Sequence, residues 1–141
     1  MLNEPTPQGE AARVRRPLRI LHLEDDPADA ELIQLQLQRR GIVCSLMRVE
    51  TQAEFKSALE QTTVDLILSD SNLPTFDGWS ALKMAAEICP GTPFIFVSGD
   101  TSDEVAREAL ARGADDYVCK GDISRLIAVV QRAFGEPASD A

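Results

Sequence analysis

Length, composition and charge limit what this chain can be. It has 141 residues, the length of one domain, of which 44% are hydrophobic and 26% charged, as in an ordinary folded globule. Its net charge of -9 argues against direct binding to nucleic acid or to an anionic membrane surface. No apolar stretch has the length of a signal peptide or a membrane span, so we expect a cytoplasmic protein.

The two ends of the chain differ in composition from its middle. Residues 1–17 are rich in Pro, Glu, Gln and Arg and have no hydrophobic periodicity, which predicts a flexible leader. Residues 136–141 are also polar and predict a flexible tail. We therefore expect one folded domain over residues 18–135.

Five short apolar segments predict β-strands, and amphipathic segments separate them. The predicted strands cover residues 19–24, 42–48, 65–70, 94–98 and 117–119. The third and fourth are almost entirely apolar, which is typical of central strands that helices cover on both faces. His22 lies inside the first strand, and we interpret it as a packed or edge histidine rather than a phosphotransfer residue.

Helix start and stop signals follow the strands. The first helix is predicted to begin at Pro27 and to end at Gly41, because proline suits the first helical position and glycine the left-handed stop. Capping boxes predict where the second and fourth helices begin, and Gly113 would end the fourth. These boxes pair Thr51 with Glu54 and Thr101 with Glu104.

The third and fifth helices are predicted from apolar stripes, and Trp79 is expected to anchor the third helix against its neighbours. The stripe of the third is Leu82, Ala85, Ala86 and Cys89. The stripe of the fifth, after a cap at Asp122, is Ile123, Leu126, Ile127, Val130 and Phe134.

The cysteines are odd in number and widely spaced, which favours buried free thiols over disulfides or metal binding: Cys44, Cys89 and Cys119.

The alternation of strands and helices predicts an α/β fold of (βα)5 order. Right-handed crossovers would wind it into a doubly wound, five-stranded parallel sheet of the flavodoxin-like type, with strand order 2-1-3-4-5. Ligands of such sheets bind beyond the carboxyl ends of the strands where the order reverses, here strands one and three.

Polar side chains gather at that edge of the predicted sheet. They are Glu24, Asp25 and Asp26 after strand one, Asp70 after strand three, Ser98 at the end of strand four and Lys120 after strand five. Crowded carboxylates destabilise one another unless a cation neutralises them, and Mg2+ suits a site with few carboxylates that must also admit phosphoryl oxygens. The simpler interpretation of Asp26 and Asp70 is helix or turn capping, which fits Asp26 better because Pro27 follows it.

The loop after strand one indicates which kind of phosphate chemistry the site would support. It has no glycine-rich cradle, and its three acids would repel a phosphate that arrived without a cation. A carboxylate that faces a metal and Lys120 suits the nucleophile of an aspartyl-phosphate. A magnesium-dependent phosphohydrolase is the main alternative, but Asn72 stands where such an enzyme has a proton-donating acid. A flavodoxin-like electron carrier is disfavoured by the acidic loop.

Over about residues 18–134 the sequence resembles the receiver domain of bacterial two-component response regulators. The resemblance rests on the segments ILHLEDDPADAE, DLILSDSNLPTFDG, PFIFVSGD and GADDYVCKGD. It implies that Asp70 accepts a phosphoryl group and that Lys120 binds the phosphate. It further implies a switch formed by Ser98 and Tyr117. The implied ligands of Mg2+, or of another divalent cation, are Glu24, Asp25, Asp70 and the backbone carbonyl of Asn72.

The resemblance also implies a function and partners. The donor would be a histidine kinase or a histidine phosphotransfer protein, and the output a contact with a downstream protein target. The chain would then be a signalling phosphoacceptor rather than an enzyme. Charged residues on the presumed output face would allow a homodimer, although a solvated surface is the simpler interpretation: Arg107, Arg112, Asp115 and Arg125.

Two positions depart from the family pattern. Gly99 follows Ser98 where alanine is usual, and Gly121 follows Lys120 where proline is usual. A cis peptide bond without proline costs roughly 2.5 to 4 kcal/mol, so we expect a trans Lys120–Gly121 bond with Lys120 still directed at Asp70.

Overall fold

A computed structural model describes residues 17–74, 76–99 and 102–134 of the chain. The predicted leader, apart from Pro17, and the predicted tail lie outside these residues. The elements alternate along the chain as β1 (Leu18–Leu23), α1 (Pro27–Arg39), β2 (Cys44–Val49), α2 (Gln52–Gln61), β3 (Leu66–Ser69), α3 (Gly78–Ile88), β4 (Phe94–Ser98), α4 (Asp103–Ala111), β5 (Asp116–Cys119) and α5 (Ile123–Phe134).

The strands form one parallel sheet in the order β2-β1-β3-β4-β5, which confirms the predicted fold. Every residue of β3 and β4 is buried, as their apolar sequences predict for strands covered on both faces. The strand order reverses between β1 and β3, so the carboxyl ends of these two neighbours lie side by side at one edge of the sheet.

A hydrophobic cluster lies on each face of the sheet because alternate strand residues point to opposite faces. On one face, Leu21 and Leu23 of β1 pack with residues of α2, α3 and α4, among them Phe55. On the other face, Ile20 packs with residues of α1 and α5, among them Leu126. The helices therefore cover both faces of the sheet, as a doubly wound fold requires.

Helix ends follow the predicted signals with one exception. The capping box of Thr51 and Glu54 is formed, and Gly41 and Gly113 have φ angles of +86° and +110° at the ends of α1 and α4. The predicted box of Thr101 and Glu104 is wrong, because Ser102 caps α4 and its Oγ accepts a hydrogen bond from Val105 N at 3.3 Å. Thr101 itself lies outside the described residues.

The apolar stripes are only partly as predicted. In α3, Leu82 and Ala85 are buried, but Ala86 is exposed because the buried face runs through Gly78 and Ala81 instead. In α5, Leu126, Ile127 and Val130 are buried, whereas Phe134 at the end of the helix is 41% exposed.

The cysteines have the predicted free thiols, but they are buried only in part as predicted. The three cysteines are free thiols, but only Cys44 is buried, since Cys89 and Cys119 are partly exposed. Across residues 17–74, 76–99 and 102–134, no helix combines the length and the apolar character that crossing a membrane requires.

Candidate functional site

Three predicted carboxylates meet at the carboxyl ends of β1 and β3. Asp70 follows β3 directly, and its backbone N–H donates to Leu23 O at 2.9 Å, which fixes it beside the end of β1. Glu24, Asp25 and Asp70 each offer an oxygen within 4.8 Å of the others. Glu24 is fully buried, Asp70 is 6% exposed and Asp25 is exposed. The sheet therefore brings these acids together as the sequence predicts.

Glu24 lies in the most enclosed part of the site. Its Oε2 accepts a hydrogen bond from Asp26 N at 3.1 Å. Its Oε1 lies 2.9 Å from Lys120 Nζ, yet no hydrogen bond of good geometry reaches this buried oxygen from the described residues. Burial raises the pKa of Glu24 above its usual value, although Lys120 and the Asp26 backbone act against that rise. Asp26 caps α1 through Ala28 N at 2.9 Å, which confirms the simpler interpretation of that residue.

Lys120, which directly follows β5, brings a positive charge to the cluster. Its backbone N–H donates to Ser98 O at 2.8 Å, so the residue is held beside the end of β4. Its Nζ lies 3.0 Å from Asp70 Oδ2 and 2.8 Å from Asp29 Oδ2. Burial alone would lower the pKa of Lys120, but its interactions with the carboxylates of Asp29, Glu24 and Asp70 outweigh burial and raise the pKa. The ammonium group thus faces three carboxylates.

Asp29 is a member of the site that the sequence analysis missed. It lies in the first turn of α1, which begins just beyond the acidic end of β1. Its position, three residues after Asp26, was the available signal, because the first turn of a helix that follows a strand lies at the same edge of the sheet. The residue is missing from the predicted set because that set contains only residues at the ends of strands, and Asp29 lies inside a helix.

The loop after Asp70 orients that carboxylate. Asp70 Oδ1 accepts a hydrogen bond from Asn72 N at 3.0 Å, while Oδ2 faces Lys120. Both carboxylate oxygens therefore have a protein donor. Asn72 is exposed, and its backbone carbonyl stays a predicted ligand.

Ser98 and Tyr117, the predicted switch pair, lie on one face of the sheet. Ser98 ends β4 and is fully buried, with its Oγ 2.6 Å from Ser71 Oγ. Tyr117 is 8% exposed, and its ring centroid lies 5.9 Å from that of Phe96. Phe96 and Ser98 are two residues apart in β4, so both point toward the face where Tyr117 packs. The contact of Ser71 with Ser98 is a second feature that the sequence analysis missed.

The turn after β5 differs from a proline-type turn in sequence but still places Lys120 at the site. The described residues contain no cis peptide bond, so Lys120–Gly121 is trans as expected. Among the described glycines only Gly41 and Gly113 have a positive φ, so Gly121 makes its turn without the left-handed conformation.

Charged residues on the presumed output face mostly have partners within the chain. Arg112 pairs with Glu108 at 2.6 Å and its guanidinium carbon lies 4.5 Å from the ring centroid of Trp79, which supports the anchoring role predicted for that tryptophan. Arg125 pairs with Asp116 at 2.8 Å. These internal pairs favour a solvated surface, and the homodimer stays a prediction.

Comparisons with known proteins agree with this geometry. The family model of the response regulator receiver domain matches residues 20–131. The cell cycle transcriptional regulator CtrA of Caulobacter vibrioides is 32% identical over 127 residues, which cover 86% of this chain and 54% of the relative. The transcriptional regulator NtrC of Escherichia coli is 32% identical over 113 residues, which cover 79% of this chain and 24% of the relative. The chain therefore spans about half or less of these curated relatives.

Solved structures show the same likeness. A CheY-like receiver domain protein from Methanospirillum hungatei superposes with a TM-score of 0.73 at 27% identity, covering 89% of this chain and all of that one. The receiver domain of a sensor histidine kinase from Pseudomonas aeruginosa, with magnesium coordinated in its active-site cleft, has a TM-score of 0.71 at 26% identity over 85% of this chain and 99% of that one. With the family match over residues 20–131, these likenesses show that the chain belongs to the response regulator receiver domain family, the phosphoacceptors of two-component signalling.

Proposed function

We propose that Asp70 is the residue that accepts the phosphoryl group. The observation that carries this proposal is the position of the Asp70 carboxylate, 3.0 Å from Lys120 Nζ and within 4.8 Å of oxygens of Glu24 and Asp25. Glu24 is fully buried, and no contact of Asp25 with the lysine is found among the described residues. Asp70 is partly accessible to solvent, lies near both Glu24 and Asp25, and contacts the ammonium group of Lys120.

The donor set suits a hard divalent cation such as Mg2+, which prefers oxygen ligands. Glu24, Asp25 and Asp70 would hold it, together with the backbone carbonyl of Asn72. Lys120 brings one positive charge to several carboxylates, so negative charge is left at the site for a divalent cation to neutralise, which supports this assignment. When bound, the cation would neutralise negative charge on the phosphoryl oxygens.

The chemistry is phosphoryl transfer from a phosphohistidine of a histidine kinase or phosphotransfer protein. An Asp70 oxygen attacks phosphorus, the bond from phosphorus to the imidazole nitrogen breaks, and the nitrogen keeps the electron pair. Such loose transition states need positioning and charge neutralisation more than covalent help. Lys120 supplies a hydrogen-bond donor and a positive charge to the phosphoryl oxygens, and the bond from Asn72 N orients the nucleophile.

The consequence of phosphorylation would be a change at the surface formed by α4, β5 and α5. Ser98 would donate a hydrogen bond to a phosphoryl oxygen, and Tyr117 would pack into the space beside it. That surface would contact a downstream protein target. We place the chain among cytoplasmic signalling phosphoacceptors that modify only themselves, with the domain over residues 18–135 and a leader and tail outside it.

The experiment is to incubate the full chain with a small phosphodonor and Mg2+ and to measure intact mass. Wild type should gain one phosphoryl group, and Asp70→Asn should gain none. Glu87→Gln is the matched control, because it removes one exposed acid from the last turn of α3, at the edge of the sheet opposite the site. A phosphoryl adduct on Asp70→Asn in wild-type yield would refute the assignment.

A further inference from the structure

A hydrogen bond between two hydroxyl groups joins the phosphoacceptor loop to the switch residue. Ser71 directly follows Asp70, and its Oγ lies 2.6 Å from Ser98 Oγ. Ser98 is fully buried and Ser71 is partly buried. Hydrogen bonds in such surroundings are worth more than those exposed to water. The bond therefore links the loop after β3 to the end of β4.

Ser71 is held in place by the close approach of α3. A Cβ on Gly78 would lie 3.0 Å from Ser71 Cα, so the first residue of α3 rests directly on the Ser71 backbone. The packing of α3 therefore holds the Ser71 backbone in place independently of the hydrogen bond to Ser98. Little conformational freedom is lost when the bond forms, and more of its energy goes into placing Ser98.

The bond between Ser71 and Ser98 lies on the same face of the sheet as Tyr117. Ser98 is bonded to the residue next to Asp70, and Tyr117 is buried on the same face. A hydroxyl has one proton to donate and two lone pairs that accept. Either hydroxyl can therefore be the donor of the bond between Ser71 and Ser98.

We propose that Ser71 is a positioning residue that holds Ser98 Oγ beside Asp70 before phosphorylation. Through this bond Ser71 also favours the packing of Tyr117 on the same face of the sheet. Ser71 acts through Ser98 and does not contact the phosphoryl group. This inference rests on the roles proposed above for Asp70 and Ser98.

The first test measures the unmodified chain without metal. Tyr117 is the only tyrosine in the sequence, so a ring-labelled tyrosine gives one NMR signal that reports on this residue alone. Ser71→Ala should shift that signal and increase its exposure to a soluble paramagnetic probe. Ser71→Thr, which keeps the hydroxyl, should retain the wild-type signal. A wild-type signal in Ser71→Ala would overturn the inference, and so would equal changes in both variants.

The second test measures phosphorylation with a small phosphodonor and Mg2+. Loss of one hydrogen bond changes a two-state population roughly two- to tenfold, so Ser71→Ala should be labelled more slowly by about that factor. In Ser98→Ala the hydroxyl that Ser71 positions is already gone, so adding Ser71→Ala should slow labelling no further. A double variant whose labelling rate is reduced by the product of the two single reductions would contradict the inference. Urea unfolding followed by Trp79 fluorescence checks that the variants are folded.

The two tests separate this inference from the proposed function. The Tyr117 signal is read without a phosphodonor and responds to Ser71 whichever residue accepts the phosphoryl group. Labelling of Asp70→Asn would refute the phosphoacceptor assignment and leave the Tyr117 result to stand by itself. Normal Asp70-dependent labelling with an unchanged Tyr117 signal in Ser71→Ala would refute the role of Ser71 alone.

Discussion

Replacing Gly78 with alanine should destabilise the fold and disturb the loop that carries Asp70 and Ser71. The added Cβ would lie 2.8 Å from Phe96 Cε1 and 3.0 Å from Ser71 Cα. Carbon atoms pack best at about 3.5 to 4.0 Å, so one of the neighbours must move by several tenths of an ångström. Phe96 is fully buried and packs edge to face on Trp79 at 5.5 Å, which leaves it little room to move.

The cost follows from two opposing effects. Overpacking a buried site costs about 1 to 3 kcal/mol, and alanine is better than glycine in a helix by up to about 1 kcal/mol. The free energy of unfolding of Gly78→Ala should therefore fall by roughly 1 to 2 kcal/mol. With a urea dependence of about 1 to 3 kcal/mol per molar, the midpoint of unfolding should fall by roughly 0.5 to 1 M.

The assay is urea unfolding followed by Trp79 fluorescence, with Gly91→Ala as the matched control. No atom lies within 4 Å of a Cβ placed on Gly91, and this glycine has no positive φ. Its replacement should be neutral or should stabilise the protein by up to about 1 kcal/mol. Phosphorylation of Asp70 by the small phosphodonor should also be slower in Gly78→Ala than in wild type. Equal midpoints for the two variants would refute the steric argument.

Two further predictions concern charge. Burial, and next the charge of Lys120, lowers the pKa of His22 to about 3. The unfolded chain therefore binds a proton at this histidine near pH 6.5, whereas the folded chain does not. The free energy of unfolding should fall by about 2 kcal/mol between pH 7 and pH 5 for this reason. His22→Leu should flatten that part of the pH profile of urea unfolding, and a slope equal to that of wild type would contradict the prediction. Asp25→Asn relieves repulsion in the acidic cluster, so it should be at least as stable as wild type without metal but bind Mg2+ more weakly in calorimetry. Wild-type affinity for Mg2+ would show that Asp25 is not a ligand.

Local sequence signals predict the fold well because they are strong where the chain changes direction. The fourth strand is predicted to the residue, since Pro93 and Gly99 bound a run of apolar residues. Where two good caps are adjacent, as at Thr101 and Ser102, the sequence rule does not choose between them. In the structure Ser102 is the cap of α4, and its Oγ accepts a hydrogen bond from Val105 N.

The candidate site is predictable as far as it depends on strand ends. Parallel strands that end in acidic residues place those residues together whatever the details of packing. The contacts of Asp29 and Ser71 could not be predicted in this way, because they depend on how side chains of a helix and a loop are directed rather than on which strands are neighbours. Lys120 is long enough to reach α1, and the Ser71 hydroxyl meets Ser98 because α3 rests on the Ser71 backbone.

The most direct test of the central claim, that Asp70 carries the phosphoryl group, is to map the modified residue in the wild-type chain. The chain is phosphorylated with a small phosphodonor and Mg2+, treated with borohydride to reduce the acyl phosphate to an alcohol, and digested for peptide mass spectrometry. We predict that the reduced side chain lies at position 70, in the segment SDSNLP. A reduced side chain at Glu24 or Asp25 instead, or a phosphoryl adduct that borohydride does not reduce, would contradict the assignment.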